Sequence, residues 1–162
     1  MSPRTPSPTV EATTPLSAPP APSITRTTSV PPTTNPTTAV VAPPGTTITS
    51  AGSQYGEMPF DETGQAIYLF DLETTSTPAC YDDCTAAWPP VLTDGAPVAA
   101  GGAQSGLLGT TPRTDGSSQV TYAGHPLYLY AHEGKDEVRC HDVPGFGGVW
   151  FALSPSGVPP PS

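Results

Sequence analysis

The stretch Gly64-Gln65-Ala66-Ile67-Tyr68-Leu69-Phe70-Asp71-Leu72-Glu73 is echoed sixty residues later by Gly124-His125-Pro126-Leu127-Tyr128-Leu129-Tyr130-Ala131-His132-Glu133. The same shift carries Cys80 onto Cys140 and Asp82 onto Asp142. A shift larger by two residues carries Trp88 onto Trp150 and Gly95 onto Gly157. Self-similarity of this kind marks a duplicated supersecondary unit whose copies pack on one another.

Each copy reads as a β-hairpin. Residues 66–72 and 126–131 are apolar on both faces, the pattern of a central strand covered on two sides. Short partner strands precede them at residues 57–60 and 118–122. Turn residues lie between, with Gly64 and Gly124 placed to take a positive φ. Beyond the first hairpin, residues 81–87 have the composition of one or two helical turns. Asp82 or Asp83 is placed to cap that helix, and Pro89 and Pro90 stop it. Beyond the second hairpin, Gly145-Phe146-Gly147-Gly148 makes a bend and residues 149–153 form a strand. The link over residues 95–106, rich in Gly and Ala, reads as loose. The expected fold is mainly β: a compact domain of two duplicated β-hairpin repeats with one short helix. Its core should hold Phe60, Ile67, Tyr68, Phe70, Trp88, Leu127, Tyr128, Tyr130, Trp150 and Phe151, whose burial would dominate the hydrophobic term.

The 162 residues divide by composition, since every Phe, Tyr and Trp lies at or after Tyr55. Residues 1–53, mostly Pro, Thr, Ser, Ala and Val, lack the apolar bulk to offset chain entropy of roughly 1–2 kcal/mol per residue. They read as a disordered stalk leaning to polyproline II. The domain then spans 54–157, with repeat one at about 55–95 and repeat two at about 107–157, and a disordered Pro-rich tail follows at 158–162. All acids but Glu11 fall in the domain, against only Arg113, Lys135 and Arg139, in a chain of net charge −9. Such a balance argues against nucleic acid, whose phosphates select basic surfaces, and against docking on anionic lipid. No apolar run approaches the ~20 residues of a membrane span, and Met1-Ser2-Pro3-Arg4 opens directly into the stalk with no secretory signal. A stalk ahead of a small cysteine-bearing domain nevertheless belongs outside the cytoplasm. A signal and a lipobox cysteine encoded upstream of Met1 would reconcile the two.

At these residues the chain resembles a family of bacterial lipoproteins and secreted proteins, the tandem secreted repeat of unknown function. Its Tyr-x-aromatic-x-x-Asp motif is met by Tyr68, Phe70 and Glu73 and again by Tyr128, Tyr130 and Glu133, with Glu in place of Asp. Its Cys-x-x-x-Cys followed by Trp-Pro-Pro is met by Cys80, Cys84 and Trp88-Pro89-Pro90. Its Gln-Val-Thr-Tyr-x-Gly-x-Pro-Leu-Tyr segment is met from Gln119 to Tyr128, and its Gly-Gly-x-Trp by Gly147 to Trp150. Pro155 to Gly157 matches its closing Pro-x-Gly, so the likeness covers about residues 55–157. The resemblance implies an extracytoplasmic, membrane-tethered domain with no assigned chemistry. Cys140 and the missing lipobox depart from the family pattern.

Three cysteines allow three pairings. The family pattern favours Cys80–Cys84, which would leave Cys140 as a free thiol. The chain-entropy model gives that small loop roughly 2 kcal/mol and a Cys80–Cys140 bridge roughly 4 kcal/mol, a gain that does not establish geometry. Cys80, Cys84, Cys140 and His141 could instead supply a Cys3His metal set, although Cys-x3-Cys without a second pair is a poor zinc signature. His125, His132 and His141 are the candidates for haem or copper, and His141 beside Cys140 could activate a thiolate. Glu73 and Glu133 could fix turns or orient a ligand. No residue stands out as catalytic. There is no Gly-x-Ser-x-Gly elbow, and Gly145 to Gly148 lacks the Lys and helix of a phosphate loop.

The functional expectation is a non-enzymatic extracytoplasmic cell-envelope domain, a structural or interaction module without cofactor. It should be a monomer, meeting an envelope partner or small ligand through exposed aromatic and acidic loop residues. The membrane would be reached only through a lipid anchor lying outside this sequence. The alternative is a redox, haem or metal-handling envelope protein using Cys140 and a nearby histidine.

Overall fold

A computed structural model describes residues 44–162. The chain runs β1 (Thr47–Ser53), β2 (Gly56–Phe60), β3 (Tyr68–Phe70), α1 (Asp83–Ala87), β4 (Val98–Ala100), a 3-10 turn at Ser105–Leu107, β5 (Leu108–Pro112), β6 (Ser118–Tyr122), β7 (His125–Pro126), β8 (Val143–Gly145) and β9 (Gly148–Ala152). Three three-stranded sheets result, ordered β2-β1-β4, β3-β9-β8 and β5-β6-β7. The described domain is mainly β with one short helix, as the sequence pattern predicts.

The hairpins form at the glycines. Gly64 and Gly124 both take φ +85. Ala123 and Gly124 are both left-handed and make the two-residue turn between β6 and β7, the geometry whose twist suits a tight hairpin. The loop at Asp61 is longer. Its side chain accepts bonds from the backbone of Thr63 and Gln65, which replaces the left-handed pair with a side-chain-braced turn.

Several expectations are corrected. Repeat one does not start near residue 55, and the stalk does not extend to residue 53. β1 pairs antiparallel with β2, and its Ile48 is fully buried. Its buried isoleucine and its ladders to two neighbouring strands hold a Thr/Ser-rich segment that composition alone reads as stalk. Residues 1–43 of the expected stalk lie outside the described residues. The 95–106 link is not uniformly loose, because β4 within it pairs in parallel with β1, Ile48 facing Ala99. Neither motif segment is one long strand. Around 66–70 the chain bridges Phe60 at Ala66 and then changes partner to β9. Asp82 occupies the N-cap of α1 at φ 51, but its carboxylate makes no capping bond. The hydroxyl of Thr85 and the backbone N–H groups of Cys84 and Thr85 close that end on the Tyr81 and Asp82 carbonyls. Tyr130 and Phe151 are half-buried rather than core. The tail at 158–162 has no regular element, yet Ser154 donates to the Val158 carbonyl through both its N–H and its hydroxyl.

Alternation along the motif strand places side chains in two cores. Tyr68 and Phe70 point into one with Met58, Trp88, Tyr128, Trp150 and the cysteines. Ile67 and Leu69 point into the other with Ile48, Val91, Val120, Tyr122, Leu127 and Leu153. Period-two geometry makes such a doubly covered strand apolar throughout.

The repeats pair crosswise. Tyr68 and Tyr128 exchange backbone bonds of 2.8 and 2.9 Å. β3 pairs with β9 in the register Tyr68↔Ala152 and Phe70↔Trp150. Its counterpart is the bridge Tyr128↔Pro90 with Leu129 N–H on the Pro89 carbonyl and Ala131 N–H on the Ala87 carbonyl. The motif segment of each repeat therefore lies against the Trp segment of the other.

Candidate functional site

The two motif tyrosines and the two motif glutamates meet across this seam. Tyr68 donates its hydroxyl to the Glu133 carboxyl at 2.9 and 2.8 Å from the two oxygens. Tyr128 donates to Glu73 Oε1 at 2.6 Å. Each carboxyl also ties down the loop that follows it. Glu73 accepts the backbone N–H of Ala79 at 2.6 Å and of Cys80 at 3.3 Å, and Glu133 accepts that of Arg139. Ala79 and Arg139 are themselves sixty residues apart, so the duplication extends to single hydrogen bonds.

Glu73 and Glu133 are only 2 % and 8 % exposed. Burial pushes both carboxyls above their ordinary 4.5, against the opposing pull of their hydrogen bonds. Burial and the carboxyl partner likewise raise the Tyr68 and Tyr128 phenols. In chemical terms each pair is a phenol held to a carboxyl inside a packed core. These acids brace turns.

The aromatic rings continue the same symmetry. Trp88 and Trp150 stack with centroids 4.0 Å apart and planes 2° from parallel. Phe70 lies on the free face of Trp150 at 4.2 Å, and Tyr130 lies on Trp88 at 4.8 Å. Tyr68 and Tyr128 present their edges to Trp88 and Trp150. Stacked and edge-on pairs each add about 0.5–1.5 kcal/mol beyond area burial, so this cluster is a principal clamp on the domain.

Cys80 and Cys84 form a disulfide, and Cys140 is a buried free thiol. Burial, then the neighbouring Glu133, pushes the Cys140 thiol up to about 12. A thiolate is the nucleophile and metal ligand, so this environment favours an inert thiol. The histidines do not converge. His125 places Nδ1 2.8 Å from the Glu73 carbonyl. His132 is exposed, its ring edge-on to Tyr130. His141 lies between Tyr55 and Phe151. With Cys80 and Cys84 joined, the Cys3His set lacks two of its ligands. Among the described residues, no group of three or more His, Cys, Asp or Glu side chains is arranged to hold a metal ion.

Outside the seam, an open depression of about 520 Å3 is lined by Tyr81, Asp82, Thr85, Pro90, Arg113, Thr114 and Asp115. Arg113 forms part of its floor. Its guanidinium donates to Gln119 Oε1 at 2.6 Å and to the Cys80 carbonyl at 2.8 Å. It also sits 4.3 Å from the centre of the Tyr81 ring. Although Arg113 is 6 % exposed, its bonds reach both repeats and fix the disulfide loop beneath Tyr81. Sequence reasoning missed Arg113 and Gln119. Only one signal pointed to them: one of the few cations of an acidic domain, six residues from a Gln on a predicted strand.

A family described as a secreted repeat of unknown function matches residues 109–154. Over that segment, which spans most of the second repeat, the chain is similar to this secreted repeat, as its motifs suggested. No curated protein and no solved structure matches the chain. The equivalence of the first repeat rests on the crosswise geometry above. The matched family is described as secreted, and no helix among the described residues is long and apolar enough to cross a membrane.

Proposed function

We propose that this is a non-enzymatic extracytoplasmic module of the cell envelope, structural or interacting in role, with the Tyr81–Arg113 depression as its contact surface. One observation carries the reading. The residues that resemble reactive groups are used for holding the domain together: Glu73 and Glu133 brace loops, Cys80 and Cys84 are joined, and Cys140 is buried. The loop residues Tyr81, Asp82, Thr114 and Asp115 are free to meet a partner around a concavity of the size that ligands occupy.

Elemental analysis and an absorption spectrum of the full chain, purified from its native envelope, test the proposal. Protein found outside the cytoplasm, with no stoichiometric metal and no visible chromophore, is the expected result. A stoichiometric metal or a Soret band would overturn it in favour of redox or haem chemistry at Cys140 and its neighbouring histidine.

A further inference from the structure

The contacts across the seam come in reciprocal pairs. Tyr68 binds Glu133 and Tyr128 binds Glu73. Phe70 covers Trp150 and Tyr130 covers Trp88. Tyr68 and Tyr128 exchange backbone bonds in both directions. A surface that meets a copy of itself in this way has the logic of an isologous two-fold interface. Here the two copies happen to lie on one chain. Between β4, which ends at Ala100, and β5, which begins at Leu108, the only covalent link is residues 101–107. That link contains Gly101 at φ +58 and Gly102 beside it.

We infer that the seam is a self-recognition surface, through which repeat one of one molecule takes repeat two of a second copy of this chain. The product is a two-fold dimer with the seam formed twice and no new contact required. Opened out, a link of this length spans roughly 23 Å at about 3.3 Å per residue, enough to carry one repeat off the other. The exchanged and closed forms share the same seam contacts, so the link decides between them. Once its 3-10 turn and the Gln104 bonds to Tyr122 and Pro155 are released, a link this short holds its ends at an effective concentration of millimolar order. The closed monomer therefore prevails in dilute solution. Exchange grows as copies are crowded toward that range, the condition of molecules tethered side by side on a surface.

Two variants of the full chain test this, both carrying Cys140→Ser. One carries Leu69→Cys; the other, tagged to change its mass, carries Phe151→Cys. These positions are registered partners on β3 and β9, within reach of a disulfide, and each chain has only one of them. The two are unfolded at acid pH without reductant, which suppresses thiolate exchange. They are then refolded together over a range of concentrations and oxidised, and the products are weighed by mass spectrometry. The expected product is the mixed dimer, exceeding either same-variant dimer and rising with concentration. A mixed dimer that never exceeds the same-variant dimers, at any concentration, would overturn the inference. A second measurement deletes residues 102–105. Light scattering should then find a dimer at micromolar concentration, whereas a folded monomer counts against exchange. The crosslink alone decides if the shortened chain does not fold.

Discussion

Replacing Glu73 with alanine should be among the most damaging single changes in this domain, and its size can be worked from three hydrogen bonds. The Glu73 carboxyl accepts from the Tyr128 hydroxyl at 2.6 Å and from the backbone of Ala79 and Cys80 at 2.6 and 3.3 Å. Removing it strands one phenol and two N–H groups, of which Tyr128 is fully buried and Cys80 nearly so. An unsatisfied buried donor costs about 1–3 kcal/mol, so the Tyr128 hydroxyl and the Cys80 N–H together cost about 2 kcal/mol even at the low end, while the N–H of exposed Ala79 can turn to water. Near 4 °C per kcal/mol for a domain of this size, the expected fall in Tm is about 8 °C. Glu73→Gln separates hydrogen bonding from charge. Its amide oxygen can accept all three bonds, and only the position of Oε2, which has no partner, changes character. The glutamine should therefore lose about 1 kcal/mol, the cost of one unmatched amide donor. Thermal and urea unfolding followed by circular dichroism at neutral pH give both values. An alanine variant losing less than about 1 kcal/mol, or a glutamine losing as much as the alanine, would refute the assignment of Glu73 as a loop brace.

The remaining predictions concern pH, the thiol and the turns. Because burial raises the folded-state pKa of Glu73 and Glu133 above 4.5, the stability they confer is full below that pH and declines as pH rises through the folded values. Urea titrations should find the domain more stable near pH 4.5 than at neutrality, with Glu73→Gln plus Glu133→Gln flattening the slope; an unchanged slope would rule these acids out as its source. Cys140, raised from 9.0 to about 12, confers stability below pH 9 that is lost as pH climbs. Iodoacetamide at pH 8 should leave native protein unlabelled and modify one cysteine after denaturation, read by mass spectrometry. Phe146 holds a left-handed φ of 53 while half exposed, so Phe146→Asn should raise stability by up to about 1 kcal/mol in thermal unfolding. Gly148→Ala should lower it by about 1–3 kcal/mol, since a β-carbon there would collide with Asp71, Leu72 and Phe70.

The sequence alone was enough to establish the duplication, the hairpins, the positive-φ glycines at 64 and 124, and an aromatic core. The duplication is written in a self-similarity sixty residues apart, and the other properties in short-range periodicity and in residues three to ten apart. It was also enough to identify Tyr68, Glu73, Tyr128 and Glu133 as equivalent positions. Which tyrosine meets which glutamate follows from the packing of the two repeats, because the bonds run between them, Tyr68 to Glu133 across 65 residues of chain. The crosswise packing also explains what the pattern misjudged. β1 is ordered by its neighbours β2 and β4 rather than by its own composition. Arg113 is buried because the Cys80 carbonyl and the Tyr81 ring arrive from a distant segment to join Gln119, six residues along the same hairpin, in receiving it. A buried charge needs partners in three dimensions, and two of these, the Cys80 carbonyl and the Tyr81 ring, lie more than thirty residues away in the chain.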